Sequence, residues 1–115
     1  MTSRHALHVC VTCRRPDGLT LYGLVEALYR DWPRKGEIAL KPVECLSGCD
    51  RACTVAVSAD GKPAYLFGDK APTGETAAAA LDLAALYLDS ADGLLPRGER
   101  PLPFRCGILA RIPSP

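Results

Sequence analysis

Residues His5 to Val11 (HALHVCV) combine β-branched content with a partial period of two, which predicts a first strand. Pro16-Asp17-Gly18 reads as a turn, with Thr20 placed to cap a helix behind it. Leu21, Leu24, Val25, Leu28 and Trp32 recur at helical spacing and draw one apolar stripe, which Pro33 ends. Glu37 to Cys45 alternates, with Ile38, Leu40 and Val43 inward, and reads as a second strand. Pro42 inside it has no N–H to donate and points to a sheet edge or a bulge.

Thr54 to Ser58 is expected to be a third strand, joined through the Asp60-Gly61 hairpin signal to a fourth over Pro63 to Gly68. Thr73 is a natural cap for an alanine- and leucine-rich helix that reaches Asp89, with Glu75 in its first turn. Gly93 is expected to close that helix. From Leu94 the chain is proline-rich and is expected to wrap the surface in extended form. The organisation expected is one body over 1–93, with 94–115 packing on it as an extended segment.

The order strand, helix, strand, strand, strand, helix implies a parallel first pair joined by a right-handed crossover, then an antiparallel hairpin. The expected fold is α/β and thioredoxin-like: a four-stranded mixed sheet, two main helices and a cysteine loop in place of a middle helix. A 115-residue chain with 48% hydrophobic and 23% charged residues has an ordinary globular balance. Its net charge of +1 gives no global pull towards nucleic acid or an anionic membrane. Apolar runs are too short to span a bilayer, and the N-terminal segment has no small-residue cleavage site, so a cytoplasmic protein is expected.

Composition says little about chemistry; the cysteines say more. They stand at 10, 13, 45, 49, 53 and 106. A disulfide framework would need an oxidising compartment, whereas clustered thiols in reducing cytosol hold metal or do redox work. Cys10 and Cys13 follow the first strand, and Cys45, Cys49 and Cys53 fill the loop before the third. If the first two strands are parallel, both groups leave the sheet at the carboxyl end, where open α/β sheets bind ligands. Two thiolates from each group make four, the number wanted by tetrahedral zinc or by common iron–sulfur clusters. CxxC paired with CxxxC gives a wider loop than a zinc ribbon and favours the iron–sulfur centre. Gly48 would let the backbone approach such a centre closely, and Arg14, Arg15 and Arg51 would offset its negative charge or simply be solvated.

The runs VCVTCR, CLSGCDRACTVAVSADGKPAYLFGD, DGLLPRGERP and ILARIP resemble a bacterial family of predicted metal-binding proteins of unknown function. That family is similar to the thioredoxin-like 2Fe–2S ferredoxins, whose CLxxC motif precedes the third strand. The resemblance implies that Cys45 and Cys49 are ligands and that Cys10 matches the first ligand. Cys13 as the remaining ligand is a departure from those ferredoxins, and Cys53 is the alternative. Cys53 also stands where they carry Gly-Pro. The resemblance further implies a one-electron carrier with a redox partner protein, a homodimer, and a link to cobalamin metabolism.

Two other functions share these residues. One is a zinc or cobalt carrier without redox chemistry. The other is a thiol–disulfide oxidoreductase using Cys10 and Cys13. It is disfavoured because a helix starting near Thr20 would be too far away to lower a thiol pKa. No Ser–His–Asp set, phosphate loop or carboxylate pair suggests an enzyme. His5 and His8 should face opposite sides of a strand, unsuited to one metal. Tyr22, Tyr29, Trp32, Tyr65 and Phe67 are expected in or near the core. Cys106 is expected to be a small buried apolar residue.

Overall fold

The computed structural model describes residues 4–12, 16–44 and 51–113. Strand β1 (His5–Cys10) leads to helix α1 (Asp17–Arg30) and strand β2 (Ala39–Val43). Strands β3 (Val55–Ala59) and β4 (Lys62–Phe67) follow, then helix α2 (Gly74–Asp89) and strand β5 (Ile108–Ile112). They form a five-stranded sheet in the order β2-β1-β3-β4-β5. β1 and β2 are parallel, and every other neighbouring pair is antiparallel. The α/β mixed sheet with two helices therefore matches expectation, but it has a fifth strand. The residues taken for surface wrapping pair with β4, setting Ala64 against Ile112 and Leu66 against Ala110.

Pro42 sits in β2 at the sheet edge, where its missing N–H costs no ladder bond. Asp60 and Gly61 make a two-residue hairpin turn, with Gly61 at φ +77°. Alternate residues of the central strands, Leu7 and Val9, Val55 and Val57, Tyr65 and Phe67, are buried in one core. The helices complete that core with Leu21 and Val25 from α1 and with Ala80, Leu83, Ala84 and Tyr87 from α2. Leu28 departs from the stripe and is exposed. Tyr29 and Trp32, half-buried with ring centroids 6.1 Å apart, supply the apolar contact beyond that turn.

Both helix starts have local causes. Thr73 caps α2 by accepting from the Thr76 N–H at 3.3 Å. α1 begins at Asp17, earlier than expected, because the Thr20 N–H bonds the Pro16 carbonyl at 2.9 Å and closes the first turn. Gly18 is buried in that turn, and Asp17 complements the helix dipole. The far end of α2 is capped from the sheet: Lys62 Nζ donates to the Tyr87 carbonyl at 2.8 Å. Gly93 lies beyond the Ser90 cap and does not end the helix. Its φ of +77° turns the chain past Lys62, whose Cβ would be 2.5 Å from an added Cβ.

The segment after Leu94 makes two short 3-10 turns, Arg97–Glu99 and Leu102–Phe104, before β5. Phe104 is fully buried, with its ring edge-on to Phe67 at 5.2 Å. Residues 94–112 thus contribute to both the sheet and the core.

Candidate metal centre

β1 and β2 run in the same direction and are paired through Cys10 and Val43, so both deliver their carboxyl ends to one edge of the molecule. β3 starts at that edge, β4 ends there, and β5 starts there. Cys53 precedes β3 by two residues and Cys106 precedes β5 by two, so Cys10, Cys53 and Cys106 share this end of the sheet. Cys13, Cys45 and Cys49 lie outside the described residues, as do Gly48, Arg14 and Arg15. Glu44 and Arg51, which flank the loop carrying Cys45 and Cys49, belong to the same end.

Cys10 is buried, and its thiol donates to the Glu44 carbonyl at 3.7 Å and lies 3.6 Å from the Thr12 hydroxyl. Its N–H bonds the Thr54 carbonyl at 3.2 Å, while the Val11 N–H bonds Val43 at 2.8 Å. The sulfur is thereby held beside the residue that precedes Cys45. Cys53 is buried in the core and exchanges backbone hydrogen bonds with Lys70. The Ala52–Cys53 peptide bond is cis. Cys106 is exposed, contrary to expectation, and Gly107 (φ +81°) follows it into β5.

Arg51 is paired with a carboxylate. Its guanidinium forks onto Asp69, with Nε 2.8 Å from both carboxylate oxygens and Nη2 on Oδ2. That pairing raises the Arg51 pKa. Asp69, at φ 58°, also bonds the Arg51 carbonyl through its N–H, so the loop's exit is clamped to the turn after β4. Gly68 makes this possible, since an added Cβ would lie 2.6 Å from the Arg51 carbonyl oxygen and 2.8 Å from Leu109 Cδ1. Gly68, Asp69 and Lys70 were not singled out from the sequence, although the run YLFGD contains the first two; their partners lie far away along the chain.

An open depression of about 320 Å³ between the start of α1 and this turn is lined by Asp17, Ala52, Cys53, Asp69, Lys70, Ala71 and Pro72. The histidines are elsewhere on β1. His8 Nε2 is 2.9 Å from the Ser58 hydroxyl, and His5 lies edge-on to Tyr87. Burial lowers the pKa of both, helped by Lys41 for His8 and by Lys62 and Arg4 for His5. Among the described residues no three His, Cys, Asp or Glu side chains gather into a metal site. Of the expected ligands, Cys10 and the alternative Cys53 lie within them, and both are buried; Cys10 stands beside Glu44, where the loop begins, and is a sulfur donor of the type that iron–sulfur clusters and zinc both accept.

Fold and cysteines together define a thioredoxin-like α/β protein with Cys10, Cys53 and Cys106 at the carboxyl end of the parallel pair. The chain belongs to the family described as Protein of unknown function (DUF1636), which matches residues 7–114. Among solved structures, it is similar to a thioredoxin-like [2Fe-2S] ferredoxin from Aquifex aeolicus, with a TM-score of 0.60 at 15% identity. That likeness covers 95% of this chain and 93% of the ferredoxin, and it shows the shared fold. Comparison with curated proteins finds no match. Among the described residues no helix is long and apolar enough to cross a membrane.

Proposed function

We propose that this protein is a small cytoplasmic one-electron carrier whose 2Fe–2S cluster is held by Cys10, Cys13, Cys45 and Cys49. The observation that supports it most is the position of the Cys10 sulfur, 3.7 Å from the Glu44 carbonyl and so at the entrance of the loop carrying Cys45 and Cys49. The fold shared with a 2Fe–2S ferredoxin supports the same reading. When bound, the cluster supplies a metal centre that changes charge by one electron. The chain's own part is to present thiolates and to limit water. Burial of Cys10 keeps one sulfur out of solvent, and the Arg51–Asp69 clamp fixes the loop's exit. An exit held at Arg51 limits the rearrangement that could accompany each change of charge.

A thiol–disulfide oxidoreductase using Cys10 and Cys13 gains support from one observation. α1 starts at Asp17, four residues after Cys13 in the chain where a start at Thr20 would leave seven, and a helix N-terminus near a thiol lowers its pKa.

Purification without oxygen separates these readings. The carrier should be red-brown, with about two irons and two acid-labile sulfides per chain. A colourless protein with one zinc per chain would replace the carrier with a zinc site of the same thiolates. A metal-free protein that reduces disulfides catalytically would favour the oxidoreductase.

A further inference from the structure

The chain is almost neutral, yet residues 94–115 contain Arg97, Arg100, Arg105 and Arg111 against a single acidic residue, Glu99. Three of these arginines are tied to one another's backbone. Arg97 Nε donates to the Arg105 carbonyl at 2.9 Å, and Arg105 Nε donates to the Arg100 carbonyl at 3.0 Å. Arg105 Nη2 also reaches the Gly98 carbonyl at 3.2 Å. Arg100 is 6% exposed and lies 5.6 Å over the Phe67 ring. Its Nε and Nη1 are buried without a hydrogen-bond partner. Among the described residues, no carboxylate pairs with any of the three.

Holding like charges together without a counter-charge costs stability. Burial, and to a lesser degree Arg97, pull the Arg100 pKa down even against the nearby Tyr65. A cluster kept for its fold alone would be easier to build from apolar residues. Arg97 and Arg105 are exposed, and each spends only part of its fork of donors on the chain. Their remaining N–H groups are pre-positioned, so little side-chain entropy is lost when carboxylates arrive.

We propose that residues 97–105 form a docking surface for an acidic patch on a partner protein. Arg97 and Arg105 meet its carboxylates, and Arg100 adds positive charge beneath them. A narrow row of carboxylates fits better than the broad phosphate face of a duplex, because the neighbouring groove is lined by Asp89, Asp92 and Glu99. The surface leads directly into Cys106, whose carbonyl binds Lys70 at the cysteine end of the sheet. On the carrier reading, on which this assignment of the partner rests, the occupant is the protein that gives or takes the electron.

The test uses the full chain with measured iron and sulfide content. Fluorescence anisotropy follows a labelled decaglutamate peptide and a DNA duplex of the same net charge. The peptide should bind more tightly than the duplex. R97Q/R105Q should weaken peptide binding about tenfold, and rising salt should weaken it in the parent protein. R4Q/R30Q, an equal charge loss elsewhere, should change it less than twofold. Since Arg97 and Arg105 also hold backbone, R97K/R105K, which keeps the charge and loses the forks, is measured alongside and should bind between the parent and R97Q/R105Q. Tighter duplex binding, equal losses in both glutamine pairs, or a lysine pair as weak as R97Q/R105Q overturns the surface. Loss of discrimination with an intact cluster counts against the surface alone. Discrimination by protein lacking iron counts against the carrier alone.

Discussion

Cys53 and Lys70 face each other beyond the ends of β3 and β4 and exchange both backbone hydrogen bonds, at 3.0 and 3.1 Å. The pair extends the sheet past its regular strands and ties the exit of the cysteine loop to the C-terminal segment. Lys70 is 5% exposed, and its ammonium donates to the carbonyls of Pro103 and Cys106, with the Phe104 ring 5.1 Å away.

Lys70→Met keeps the aliphatic stem and removes both charged hydrogen bonds. The loss should be about 1.5–3 kcal/mol, offset in part by relief of the buried charge. Urea denaturation measures it. Limited proteolysis should cut the variant between Arg97 and Gly107 faster than the parent. Unchanged stability and cleavage would mean that Phe104 alone secures the segment.

Gly68→Ala should displace Arg51, because the new Cβ would collide with a backbone oxygen instead of a movable side chain. A cost of about 1–3 kcal/mol is expected from such overpacking. Iron content should fall with it, since the loop's exit moves. Normal iron content in a destabilised variant would separate the clamp from the centre.

Cysteine-to-serine variants test the ligand set. Cys10, Cys13, Cys45 and Cys49 variants should lose the visible absorbance, because a serine oxygen is a poorer donor to iron. Cys53→Ser should keep it, at a packing cost on the order of 1 kcal/mol, and exposed Cys106→Ser should change stability by less than about 0.5 kcal/mol. A colourless Cys53 variant beside a coloured Cys13 variant would exchange their roles.

Acid should weaken the fold through the histidines. His8 has a pKa below its ordinary 6.5, chiefly from burial and then from Lys41, and His5 is lowered as well. The unfolded chain therefore binds more protons than the native one just below pH 6.5, and stability rises with pH through that window. Between pH 7.5 and 5 the urea midpoint should fall, and less steeply in His8→Gln. An identical pH slope in the variant would assign the effect to other groups.

Much of the fold was legible because its signals are local. Pro42 pointed to an edge or a bulge, Asp60-Gly61 to a hairpin and Thr73 to a cap, and each needs only its neighbours. β5 was missed because nothing within ILARI distinguishes a strand from an extended wrap; its reason to be a strand is β4, far upstream. The start of α1 was misread because Pro-Asp-Gly is turn chemistry until Gly18 finds a buried site. Arg51 reads from sequence as a counter-charge to the cluster or as a solvated side chain, since Asp69 is 18 residues away. At the site, the convergence of Cys10 with the second strand's exit followed from parallel pairing alone. Cys106 stands two residues before β5, so its exposure could not be read before that strand was known.

β5 has one more consequence, and it concerns time. As the chain is made, Phe67 leaves the ribosome well before Ile108, and at about 5–20 residues per second the gap is roughly 2–8 s. Throughout that interval the outer rim of β4 offers unpaired N–H and carbonyl groups to any other nascent chain. Phe67 also lacks Phe104 as a lid. Slow synthesis across residues 68–107 should therefore favour inclusion bodies, and a factor that shields β4 during those seconds should raise the soluble yield.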